Sequence, residues 1–213
     1  IAQTLEYCKS KRSCKSIEEF FMSTEVIDPR VAAYARSAAL QDRLNSLNLF
    51  QTVAGAPVDE NFDRDDYRVA IVAGRWHVAI VDALVEGALE TLNTHGVKDD
   101  QIDFVQGPGA FEFPLIVDAL LQDTAYNAVI VLGVVIKGET PHFDFVAGEC
   151  ASGISRVSLD REVPIGFGLL TVNTVEQAFA RSQPGESNKG REAVLAALEV
   201  ADLQLMLDQE EED

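Results

Sequence analysis

The spacing of apolar residues changes near residue 66. Beyond it, short runs rich in β-branched residues alternate with stretches in which apolar residues recur every three to four positions. These are the signatures of strand and amphipathic helix. "YRVAIVAG" (67–74) predicts a strand ending at a glycine. "HVAIVDALVEGALETLNTHG" (77–96) predicts a helix closed by Gly96. "IDFVQGPGA" (102–110) predicts a strand running into a turn. "FEFPLIVDALL" (111–121) predicts a helix, with Pro114 tolerated only in its first turn. "AVIVLGVVI" (128–136) is apolar throughout, as expected at the centre of a parallel sheet. A helix over "HFDFVAGECASGISRVSLD" (142–160) and a strand over "VPIGFGLLTV" (163–172) follow. "TVEQAFARS" (174–182) predicts a short helix capped by Thr174, with Gln177 completing a capping box. "NKGREAVLAALEVADLQLML" (188–207) predicts the last helix.

Four strand–helix units predict an α/β three-layer sandwich: a four-stranded parallel sheet with helices on both faces and right-handed crossovers. Before residue 66 the pattern differs. "DPRVAAYARSAALQDRLNSLNLF" predicts one helix over 28–48, with Asp28 as cap and Pro29 at its first position. "QTVAGAPVDENFDRDD" reads as a linker. The expected organisation is a helical N-terminal extension over 1–65, one α/β domain over 66–207, and an acidic disordered tail over 208–213.

In an open parallel sheet the ligand site lies beyond the carboxyl ends of the strands. That rule brings 74–77, 107–112, 137–142 and 171–173 to one rim. Trp76 and Phe111 offer flat apolar faces for a ring. Glu112 can accept hydrogen bonds from hydroxyls. Gly138, Glu139 and Thr140 form a glycine turn ahead of a helix, where backbone N–H groups suit an anion. His142 titrates near neutrality and can move protons, and Asp144 orients its ring if the helix starts in a suitable register. The set suits a heterocycle bearing a polyol, together with a phosphate. Plainer readings exist for each residue. A lone Trp after a strand is more often a packing residue, an isolated His is more often structural, and Glu112 is placed to favour a helix start. His77 and His95 read as structural or exposed.

Composition narrows the partners. A net charge of −18 over 213 residues argues against nucleic acid, and no apolar run approaches the ~20 residues of a membrane helix. Cys8, Cys14 and Cys150 are odd in number and form no CxxC pair, so a reducing, cytoplasmic setting is expected and no metal site. Cys150 reads as a small buried hydrophobe. The GxGxxG fingerprint is absent after the first strand and no P-loop occurs. "CKSKRSCK" near the start lacks the apolar core of a signal peptide, and organellar targeting by a lost segment stays open. Met22 is a candidate start.

Five segments, in order and with fitting spacing, resemble the lumazine synthase family: "VAGRWHVAIVDALVEGAL", "GPGAFEFPL", "AVIVLGVVIKGETPHFDFVAGE", "VPIGFGLLTVNTVEQAFAR" and "NKGREAVLAALEV". The resemblance spans about residues 62–206. It implies a flavodoxin-like α/β fold and the penultimate step of riboflavin biosynthesis. There, 5-amino-6-(D-ribitylamino)uracil condenses with 3,4-dihydroxy-2-butanone 4-phosphate, with no metal or organic cofactor. It further implies that Trp76 stacks on the pyrimidine and that Ala110, Phe111 and Glu112 bind the ribityl chain. Val134, Val135 and Ile136 would read the pyrimidine edge, and Gly138, Glu139, Thr140 and Arg181 would bind phosphate. His142 would transfer protons, Lys189 would lie near the site, and Phe167 would come from a neighbouring subunit. Homo-oligomers are implied as well: pentamers, paired pentamers or an icosahedral capsid of twelve. A flavin-binding or shell-forming relative without catalysis is the alternative. Two departures stand out. Trp76 replaces the commoner Phe, and "SQPGES" (182–187) replaces a Gly-rich segment, with Pro184 stiffening the loop ahead of Lys189.

Overall fold

The computed structural model describes residues 67–211, with side chains to 205. The expected helix at 28–48, the linker, Met22, Cys8 and Cys14 lie outside the described residues. The elements are β1 (Val69–Gly74), α1 (Val78–Thr94), β2 (Ile102–Gly107), α2 (Phe113–Asp123), β3 (Ala128–Ile136), α3 (His142–Arg161), β4 (Ile165–Val172), α4 (Val175–Ser182) and α5 (Lys189–Glu211). Short 3₁₀ turns precede β2 and α2. The four strands are parallel in the order β2-β1-β3-β4. The expected sheet is therefore observed, with β1 and β3 at its centre.

Both central strands are buried on both faces, which is why their sequences are apolar without alternation. One core layer joins the sheet to α1 and α5, through Ile71, Leu84, Leu89, Ile130 and Val194. The other joins it to α2 and α3, through Val72, Phe113, Val131, Cys150 and Ile154. Cys150 is the buried small residue expected, and burial pushes its thiol up to about 12.

Local signals account for the end of α1 and the start of α4. Gly96 has φ 86°, and the N–H groups of Gly96 and Val97 return to the carbonyls of Asn93 (3.1 Å) and Leu92 (2.9 Å). This paired pattern closes α1 as expected. At α4 the outcome is half of the expected capping box. Thr174 Oγ1 accepts from the Gln177 N–H at 3.3 Å. The Gln177 side chain instead accepts from the Asn173 N–H at 2.8 Å, one residue further back. The last helix also runs past the expected boundary at 207: its backbone stays helical to Glu211. No helix among the described residues is long and apolar enough to cross a membrane.

Two clusters pin the ends of the sheet. At the amino ends, Arg68 Nε donates to Asp103 Oδ2 at 2.7 Å, and the Tyr126 hydroxyl donates to the same oxygen at 2.7 Å. The Arg68 guanidinium also lies 5.1 Å from the Tyr126 ring centre. Burial, and then the bond to Asp103, raise the Tyr126 phenol well above its ordinary range.

At the carboxyl ends, Phe113 is fully buried against three glycines from three strands. A Cβ at Gly74, Gly107 or Gly133 would stand 3.4, 3.3 or 3.1 Å from its ring. Gly74 and Gly107 are direct register partners, so the ring lies on a floor without side chains. Phe113→Ala should destabilise the protein by about 3–5 kcal/mol. Gly133→Ala should cost about 1–3 kcal/mol by overpacking the same ring. Urea unfolding at fixed protein concentration measures both.

Candidate active site

The rim is built from the ends of β1, β2 and β3. After β1 the chain turns through Arg75, Trp76 and His77 into α1. His77 adopts a left-handed conformation, φ 55° and ψ 52°. Its carbonyl accepts the N–H groups of Ile80 (2.9 Å) and Val81 (3.1 Å), which start the helix. Trp76 is left projecting and 60% exposed. After β2 the 3₁₀ turn Ala110–Glu112 forms, with Ala110 buried and Phe111 58% exposed. Phe113 beneath anchors this turn.

Gly109 lies where two of the expected residues meet. A Cβ there would stand 3.3 Å from Cδ1 of the Trp76 indole and 3.4 Å from Glu112 Oε2. The indole and the carboxylate therefore converge on one bare backbone position. Glu112 stands at the helix cap position, but its side chain makes no capping bond, so its carboxylate is open.

At the end of β3, Val134 is buried and Val135 and Ile136 are partly buried, in register with Leu170, Thr171 and Val172 of β4. Gly138, Glu139 and Thr140 form an exposed turn, and α3 begins at His142, itself exposed. Pro141 at the cap position supplies no side-chain bond; the Asp144 N–H returns to the Pro141 carbonyl at 3.0 Å, and the N–H groups of His142 and Phe143 are the orphan donors of the helix start. Asp144 does not orient His142 as the sequence reading allowed. The helix starts at His142 itself, and residues two apart on a helix do not face each other.

The remaining expected residues lie elsewhere. Phe167, Arg181 and Lys189 line a groove of about 530 Å³ along the outer edge of β4, together with Thr171, Glu192 and Ala193. Phe167 is in register with Val131, five positions below Ile136, or about 16 Å along the strand. Arg181 donates to the Gln177 carbonyl at 3.0 Å, and Lys189 pairs with Glu192 at 2.6 Å. Of the four rim segments only the last reaches this groove, through Thr171. Within one chain the expected residues thus fall into two groups, one on the rim and one on the edge of the sheet.

The structure gives two residues that the sequence places on the rim a definite part there. Lys137 brings its ammonium to 5.7 Å from the Phe143 ring centre, over the first turn of α3. His77 is the other. Its left-handed backbone turns the chain from Trp76 into α1, and nothing local in "GRWH" announces a positive φ except the modest tolerance of His for it.

Among the described residues no cluster of His, Cys, Asp and Glu could hold a metal. The rim can instead bind a flat ring beside hydroxyls, bind an anion at an open helix start, and offer an imidazole there.

The sequence model of the 6,7-dimethyl-8-ribityllumazine synthase family matches residues 66–204. The chain belongs to this family. The matched span contains every rim and groove residue named above.

Burial holds the His77 imidazole below its ordinary 6.5. The folded state therefore resists a proton that the unfolded chain accepts, and stability falls as pH drops through 6.5. His77→Asn tolerates the left-handed backbone and carries no such proton. Its unfolding free energy should fall less between pH 7.5 and 5.5 than that of the wild type, and an NMR titration should give His77 a midpoint below 6.5.

Proposed function

We propose that the chain is a lumazine synthase. It condenses 5-amino-6-(D-ribitylamino)uracil with 3,4-dihydroxy-2-butanone 4-phosphate to 6,7-dimethyl-8-ribityllumazine, water and phosphate. The observation that carries this reading is the convergence of Trp76 and Glu112 at Gly109, on the rim shared with the turn into His142. A ring bearing a polyol needs a stacking face next to a hydroxyl acceptor, and a phosphate-bearing partner needs donors beside both.

In this reading the pyrimidine stacks on Trp76, with Val134, Val135 and Ile136 along its edge. Ala110, Phe111 and Glu112 line the ribityl chain, and Glu112 accepts from its hydroxyls. The N–H groups of the Gly138–Thr140 turn and the start of α3 hold the phosphate. The primary amine adds to the ketone and water leaves to give an imine. Phosphate then leaves by elimination, the resulting enol tautomerises to a ketone, and the second amine closes the ring on that carbonyl with loss of a second water. His142 carries protons between these steps. Holding two reactants side by side supplies roughly 7–11 kcal/mol in the best-oriented cases, and no cofactor is required.

The phosphate-binding set is completed by a second copy. Arg181, Lys189 and Phe167 belong to the β4 groove, and a head-to-tail contact brings one chain's groove over its neighbour's rim. Repetition of such a contact closes a ring, a pentamer in the family resemblance. The exposed Leu115 on α2, with Phe145 and Leu159 on α3, supports an apolar contact of this kind. The free thiol of Cys150 fits a reducing compartment such as the cytoplasm.

Turnover is followed by the absorbance of the lumazine product. His142→Ala should lower kcat about 100-fold. Arg181→Ala should raise KM for the phosphate-bearing substrate at least ~10-fold, from a lost charge-assisted bond. Co-assembling the two impaired variants should restore part of the activity, because some sites then draw an intact rim from one copy and an intact groove from another. Quenching of Trp76 fluorescence by riboflavin without any turnover would instead identify a flavin-binding relative.

A further inference from the structure

We propose that Asn188 is a positioning residue that sets the separation of Arg181 and Lys189. The inference rests on the functional reading above, in which these two cations serve the phosphate. Asn188 is 1% exposed and uses all four hydrogen-bonding capacities of its amide. Nδ2 donates to the carbonyl of Ala83 in α1 at 3.0 Å and to that of Ser182 at the end of α4 at 2.9 Å. Oδ1 accepts the N–H groups of Gly190 (2.8 Å) and Arg191 (3.2 Å) at the start of α5. Its backbone N–H donates to Gly185 at 3.1 Å, and its carbonyl accepts from Glu192 at 3.1 Å. One side chain therefore ties three helices at one corner.

The corner is built around that amide. A Cβ at Gly87 of α1 would come within 2.5 Å of the Asn188 amide carbon. A Cβ at Gly190 would come within 2.0 Å of the Leu84 carbonyl oxygen, so α5 starts in close contact with α1. Arg181 adjoins Ser182, and Lys189 adjoins Asn188. The bond between Asn188 and Ser182 thus closes the loop whose two ends carry the two cations.

Each cation is also held locally, Arg181 by the Gln177 carbonyl and Lys189 by Glu192. Their relative position follows from the backbone corner. Residues 183–187 are all exposed. Within "SQPGES", Ser182 is buried in the clamp and Gly185, at φ 110°, takes the Asn188 N–H, whereas Pro184 is exposed and decoupled from the placement of the cations.

The test uses the full chain and inorganic phosphate as probe, competing with the phosphate-bearing substrate. Asn188→Ser keeps a hydroxyl to cap α5 but is too short to hold both carbonyls. It should raise the phosphate inhibition constant and the substrate KM about tenfold. Gly87→Ala, which pushes on the amide from the other side, should act in the same direction. In an Arg181→Ala background, Asn188→Ser should add less than about twofold, because both changes act through one cation pair. Pro184→Ala should leave both constants unchanged.

Phosphate inhibition that depends on Arg181 but is unchanged in Asn188→Ser and Gly87→Ala overturns the positioning role alone. Full multiplication of the two penalties makes Asn188 a stabilising residue and also overturns it. A wild-type protein with neither turnover nor phosphate competition overturns the functional reading, and the inference with it.

Discussion

The rim depends on the packing of Phe113 against Gly74, Gly107 and Gly133. A buried ring lying across three parallel strands needs a floor without side chains, and glycine at the same level of β1, β2 and β3 provides one. The ring fixes the start of α2 and, through it, the turn that carries Phe111 and Glu112. Gly74 and Gly107 also end β1 and β2, directly ahead of the segments bearing Trp76 and Gly109. Core packing and site geometry are therefore one structure: the side chain that fills the interior also aims the exposed groups above it.

Burial and charge are divided between the two ends of the sheet. At the amino ends Arg68, Asp103 and Tyr126 form a buried, mutually bonded group that serves the fold. At the carboxyl ends the polar groups are exposed and only loosely committed. Neither Glu112 nor Pro141 makes a side-chain capping bond, and the turn before His142 is exposed. Groups already paired within the protein would have to break those bonds to meet a ligand. The third set, along β4, stands apart because β4 is an edge strand with a groove where another strand would otherwise pair.

Much of the fold was legible because parallel-sheet proteins write their period plainly. The apolar runs at 69–74 and 128–136 are strands, and the spacing over 78–94 is a helix closed by Gly96. Local geometry was harder to read. Gln177 reaches Asn173 rather than Thr174, because a cap depends on where the preceding backbone runs. Asp144 misses His142 because a helix that starts one residue earlier or later rotates every side chain by about 100°. The left-handed conformation of His77 has no marker comparable to glycine, and only its place between a strand end and a helix start imposes it.

By itself the sequence determined the strand and helix periods, the order of the chemical groups along the chain, and the family to which residues 66–204 belong. Those properties are local or depend on order alone. Only the tertiary structure decided that Trp76 and Glu112 meet at Gly109, that Arg181 and Lys189 lie on the β4 edge rather than on the rim, and that Asn188 ties α1, α4 and α5. These are distances between residues far apart in the chain. They are set by the strand order β2-β1-β3-β4 and by which backbones can approach closely, and no spacing along the sequence encodes either one directly.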